Sequence, residues 1–149
     1  MTDRSLPEPS EFVAVSGSID SLSDAVRASQ GDREAVKSLW AGMFGLERWF
    51  FIPRGTSPNF TPYVGVIEGV PSLCAFTSPQ RSQEFAQSIG LPEEEWRMAL
   101  GIPTDHVAAW CASYTSNGVA RIIVDPGHSG FFLPLGQLEA VRAEFGLDT

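Results

Sequence analysis

The stretch TPYVGVIEGVPSLCAFTSPQRSQEFAQ, residues Thr61 to Gln87, decides the fold. Thr61 to Glu68 alternates, with Tyr63, Gly65 and Ile67 on one face and Val64, Val66 and Glu68 on the other. Ser72 to Thr77 repeats the alternation, Leu73 and Ala75 against Cys74 and Phe76. Glu68-Gly69-Val70-Pro71 separates the two runs: the glycine accepts positive φ and the proline resists a mid-ladder position, so a hairpin is predicted. Thr77-Ser78-Pro79 then ends the strand and opens a helix, with Ser78 as N-cap and Pro79 at the first helical position, where a missing N–H is harmless.

Around this stretch the chain has the length of one domain. Its 149 residues suffice to bury about 68–70% of the unfolded surface without staples. The net charge of -8 argues against phosphate backbones and anionic lipid, so no nucleic acid or membrane surface is expected as a partner. No apolar run approaches the ~18 residues of a bilayer span, and the acidic, proline-bearing start has no signal-peptide h-region. Cys74 and Cys111 sit among apolar residues without CxxC or Cys/His spacing. Buried free thiols in a reducing cytoplasm are expected rather than a disulfide.

Residues 1–18, with Pro7, Pro9 and several acids, read as a flexible tail preceding a single domain over residues 19–149. Phe12, Val13 and Val15 are compatible with an added edge strand. Leu22, Ala25 and Val26 mark a short helix ended by Gly31. Asp32 caps the next, whose Val36, Leu39, Trp40, Met43 and Phe44 form the widest apolar stripe in the chain. Glu47 to Ile52 reads as a strand covered on both faces, and Arg54 to Pro62 as a loop. After the hairpin, the Ser78 helix turns Phe85, Ile89 and the stem of Arg81 inward. Pro92 starts a helix with Glu93, Glu94 and Glu95 in its first turn, the solvated reading of that acid run. Thr104 caps a helix with Val107, Trp110, Cys111 and Tyr114 inward. Val119 to Val124 is a strand, Asp125 to Gly130 a turn, and Phe131 to Leu133 a short strand. Pro134 opens a last helix with Leu135, Leu138, Val141 and Phe145 inward. This order predicts an α+β layered fold: a mixed sheet of about five strands, helices packed on it, and a central β-hairpin.

Four motifs, Trp49-Phe50-Phe51-Ile52-Pro53, Tyr63-Val64-Gly65-Val66-Ile67-Glu68-Gly69, Ala75-Phe76-Thr77-Ser78 and Ile122-Ile123-Val124-Asp125-Pro126-Gly127, occur here in order before a closing helix. Together they resemble the N-terminal domain of the SseB (enhanced serine sensitivity) family of bacterial proteins, over Leu22 to Phe145. The departure is Asp125, since the family more often reads Asn-Pro-Gly at that turn. The second domain often found after this one in the family is expected to be missing. The resemblance implies an α+β, cytoplasmic, non-enzymatic module, and it brings no catalytic residues.

The residues themselves give little chemistry. Gly127-His128-Ser129-Gly130 falls short of the Gly-x-Ser-x-Gly elbow because Phe131 stands where the second glycine belongs and the next segment is extended. A small hydrolase using Ser129, His128 and Asp125 is the alternative reading, and it needs those side chains to converge. His106 and His128 are isolated from any zinc-type ligand set, and neither GxGxxG nor a P-loop is present, so no metal and no cofactor are expected. Alternation along Phe131-Phe132 sends one ring away from the core. These residues are read as a protein-interaction or regulatory module binding a protein, a peptide or itself. Its surface is expected at one end of the sheet, from Arg54, Phe60, Asp125, Pro126, Gly127, His128, Phe131 and Phe132.

Overall fold

The structure, a computed structural model, describes residues 9–55 and 60–145. It is an α+β fold in which a mixed four-stranded sheet stands between helices. The elements run α1 (Pro9–Ala28), α2 (Arg33–Phe44), β1 (Arg48–Phe51), β2 (Pro53–Arg54), β3 (Thr61–Pro62), β4 (Val64–Ile67), β5 (Val70–Ala75), α3 (Pro79–Ser88), α4 (Glu93–Trp96), β6 (Leu100–Pro103), α5 (Thr104–Ala112), β7 (Arg121–Val124), β8 (Phe131–Pro134) and α6 (Leu138–Phe145). The main sheet has the order β4-β5-β7-β8, with β5 and β7 parallel and the outer pairs antiparallel. The five expected strands are β1, β4, β5, β7 and β8. The others are the two-residue pair β2-β3 and β6, which pairs with β1. Gly101 and Pro103 in β6 conceal it from a propensity reading.

The hairpin has a two-residue loop, Glu68 and Gly69, both at positive φ (55° and 80°), which matches the twist of the flanking strands. Pro71 belongs to β5 rather than to the turn, opposite Val66. It is tolerated because the parallel ladder to β7 begins only at Ser72↔Arg121, so its absent N–H lies beyond the ladder's end. Asp32 caps α2 through Glu34 N and Ala35 N, and Ser78 caps α3 through Arg81 N. Thr104 does not cap α5; its hydroxyl donates to the Leu46 carbonyl and ties the helix start to the chain before β1.

Register sorts the sheet's two faces. Leu73, Ala75, Ile122, Val124, Phe131 and Leu133 meet α1, α2, α5 and α6, with Trp40, Met43, Trp49 and Leu138 in the same core. Cys74 and Ile123 face the opposite way, into a smaller cluster with Phe50, Ile52, Phe76 and Ala86. The cysteines therefore lie in different clusters; both are free and buried, and burial pushes the Cys74 thiol up to about 12. Trp49 is fully buried and still satisfied, its Nε1 donating to the Met43 carbonyl at 2.7 Å. In α3 Ser82 and Ala86 are buried, Phe85 packs on the smaller cluster and the Arg81 side chain is largely covered, as expected, whereas Ile89, expected inward, is exposed.

The largest correction concerns the N-terminus. Residues 1–8 lie outside the described residues, but from Pro9 onward the expected tail is the first half of a 20-residue helix. Over residues 12–28 its buried positions are Phe12, Ser16, Ile19 and Ser23, a 4-3-4 spacing. Serine at two of the four hides the stripe from a hydropathy reading. Phe12 meets Phe50 edge-to-face at 5.5 Å, and Ile19 sits in the main core. Ile19→Ala is therefore expected to destabilise the protein by about 3 kcal/mol in urea unfolding. A loss below about 0.5 kcal/mol would mean that α1 is not docked as described.

Candidate functional site

Strands β5 and β7 end level with each other, at Ala75↔Val124, and the residues just beyond their ends build the most connected polar cluster of the fold. Asp125 leaves β7 with its N–H bonded to the Ala75 carbonyl and with φ at +51°, a left-handed conformation that Asp tolerates better than most residues. This bend carries its carboxylate back across the end of β5. The side chain is fully buried and accepts from Thr77 N (2.9 Å), Thr77 Oγ1 (2.7 Å) and Arg81 Nη1 (2.8 Å). Arg81 is aimed there by the first turn of α3, and its fork also grips both oxygens of Asp20 on α1, at 2.9 and 2.8 Å. Ser16 Oγ, 2.6 Å from Thr77 Oγ1, completes the seam between α1 and the strand ends.

The two carboxyl groups respond oppositely. The hydrogen bond from Arg81 holds Asp20 below the usual carboxylate range, against the opposing effect of burial. For Asp125 burial dominates and raises the pKa, opposed by Thr77 and then Arg81. Asp20 thus contributes stability that is complete above the unfolded value of about 4 and disappears as pH falls through the folded one. Asp125's contribution is complete at low pH and declines as pH rises through its raised value.

The turn after Asp125 is the expected one, closed by His128 N and Gly130 N on the Asp125 carbonyl. Its side chains go separate ways. His128 Nε2 lies 2.7 Å from Glu84 Oε1 on α3. Ser129 Oγ is buried with no hydrogen-bond partner, while the Ser129 carbonyl accepts from Arg27. Ser129, His128 and Asp125 share no side-chain hydrogen bond, so the relay of the hydrolase reading is not assembled here. Among the described residues no group of three or more His, Cys, Asp or Glu is placed to hold a metal ion, and no helix is long and apolar enough to cross a membrane.

The eight residues expected to form one surface fall in four places. Asp125 and Pro126 are buried at the end of β7, with Gly127 and His128 at the rim. Phe131 turns under the sheet to meet Trp40 edge-to-face at 5.3 Å. Phe132 points the other way, 55% exposed, with the Arg121 guanidinium 4.4 Å from its ring centroid. Arg54 and Phe60 line a separate groove of about 480 Å³ beside α4, where Arg54 pairs with Glu95.

Thr77, Arg81, Asp20 and Ser16 are not legible as a cluster in the sequence. Asp20 and Arg81 are 61 residues apart, and only the docking of α1 brings them together. No family model, no curated protein and no solved structure matches the chain.

Asp125→Ala is expected to lose about 3 kcal/mol of stability, because Thr77 and part of the Arg81 fork are left buried without an acceptor. Asp20→Asn should weaken the protein most at neutral pH, the deficit closing below about pH 4. Urea unfolding across pH reads both, and a deficit for Asp20→Asn that does not change with pH would contradict the pairing.

Proposed function

We propose that this chain is a non-enzymatic interaction module of the SseB N-terminal type. It acts through the β8 edge of the sheet on a protein partner, a second copy of the chain included. The observation that carries the reading is Phe132. It is a large exposed aromatic on a strand with no second neighbour among the described residues.

The ring is well backed. Arg121, beneath it, is itself held by Ser72 Oγ (2.9 Å) and the Ile67 carbonyl (3.0 Å), so the aromatic face is presented with little side-chain freedom to lose on binding. An unpaired edge adds backbone donors and acceptors for an incoming strand, and a rigid aromatic is the usual kind of anchor at an interface centre.

The family reading draws support from where its motifs lie. They occupy β1, the β4-β5 hairpin, the β5-to-α3 step and the β7 turn, segments that pack against one another. At the turn, Asp125 adopts a positive φ that asparagine accepts equally well. A cytoplasmic setting belongs to the same proposal and rests on two buried, unbridged cysteines.

Phe132→Ala tests it. Self-association by sedimentation, or binding to a partner captured from the native cell, should weaken by about 30-fold, the range of an aromatic hot spot. Stability should change by no more than about 0.5 kcal/mol. Unchanged association, or association lost only because the fold is lost, would contradict the role given to this edge.

A further inference from the structure

A second groove, of about 480 Å³, runs between the β1-β6 ribbon and α3. Its lining includes Arg48, Phe50, Gln83, Arg97, Met98 and Gly101, and no carboxylate. That is unusual for this chain, in which 18 acidic residues face 10 basic ones. Arg27, Arg54, Arg81 and Arg121 each pair with an acid of the chain. Arg48 and Arg97 pair with none among the described residues, and both line this groove. Arg48 Nε is buried without a hydrogen-bond partner, the kind of group that structures rarely leave unused.

The groove is built for these side chains. Arg48 and Phe50 project from the same face of β1, and Gly101 stands opposite Phe50 on β6. A Cβ at position 101 would come within 3.1 Å of the Phe50 ring and 3.3 Å of Arg48 Cδ, so the absence of a side chain lets both lie across the ribbon. Met98, 71% exposed, supplies an apolar wall opposite.

We propose that this groove binds an acidic peptide segment, with a carboxylate between Arg48 and Arg97 and an apolar side chain against the exposed Met98, beside the buried Phe50 ring. Two guanidinium forks suit a planar carboxylate, while Gln83 Nε2 donates to the Arg97 carbonyl (3.0 Å) and ties that wall of the groove to α3. A phosphate would look for backbone N–H groups at a helix start, but α3 offers Pro79 at the groove wall and has its Arg81 N–H taken by Ser78. An extended ligand is favoured over a small one because this groove shares Arg97, Met98 and Ala99 with the one lined by Arg54, Phe60, Glu94 and Glu95, whose two acids restrict the ligand's carboxylate to the Arg48 end and leave apolar residues for the rest. The β8 edge uses no residue of this site, and the proposal does not rest on it.

Fluorescence anisotropy on the full chain tests it, using a dye-labelled octapeptide with one Glu among leucines and the same peptide with Gln instead. The Glu peptide should bind, and the Gln peptide at least about tenfold more weakly. Arg97→Gln, at an exposed position, should cause a similar loss without a change in melting temperature, and Gly101→Ala should weaken binding by displacing Arg48 and Phe50. Glutarate should compete only at far higher concentration than the peptide, and inorganic phosphate less well than glutarate. Equal binding of the two peptides, or no binding, would overturn the proposal. Glutarate matching the peptide would make the ligand a free small carboxylate, and phosphate outcompeting glutarate would make it a general oxyanion; either result also overturns it.

Discussion

A carboxylate taken fully out of water at the end of a strand needs donors at once, and Asp125 obtains three from two directions. Thr77 supplies two because β5 ends level with β7. Arg81 supplies the third because Ser78 and Pro79 start α3 immediately after. Arg81 in turn brings a charge that Asp125 alone does not hold, and its remaining fork is met by Asp20. The Asp125 side chain thus ties together the ends of both parallel strands, the first turn of α3 and, through Arg81, α1. Removing either carboxyl leaves the guanidinium short of an acceptor in a poorly solvated place, which is why the cluster behaves as a unit.

This arrangement also bears on function. In open α/β sheets the crevice beyond the carboxyl ends of parallel strands is the usual ligand position. Here that position is filled by the chain's own side chains and crossed by α1 through Ser16 and Asp20. The groups lining open surface lie on the flanks instead: Phe132 on its Arg121 support at the β8 edge, and Arg48 of β1 with Arg97 at the end of α4. One is an aromatic plate and the other a cationic groove, and these are the two surfaces proposed above for recognition.

Much of this is readable from residues whose local chemistry and tertiary role agree. Asp32, Ser78 and Pro79 cap or open the helices expected of them, and Glu68-Gly69 turns the hairpin. Phe131 and Phe132 separate to opposite faces as a two-residue period requires. The features that escape a sequence reading do so for identifiable reasons. The first turns of α1 resemble a tail because Pro7, Pro9 and several acids open the segment and Ser16 occupies a buried position that a stripe would give to an apolar residue. Arg81 reads as an aliphatic stem because its acid partners are 61 and 44 residues away. Arg48 does not stand out at the head of an aromatic strand, since an unpaired buried nitrogen is a property of packing and leaves no mark in a sequence.

Arg81, held between Asp125 and Asp20, holds α1 on the sheet together with Phe12 and Ile19, and the packing of those two alone does not keep α1 as closed as the sheet. Native-state hydrogen exchange of the α1 amides, compared between the parent protein and Arg81→Met, tests it most directly. In the parent the amides around Ile19 should exchange with protection close to that of β5 and β7. In Arg81→Met the protection of α1 should fall well below that of the sheet. Equal protection of α1 and the sheet in the variant, or an α1 already unprotected in the parent, would contradict it.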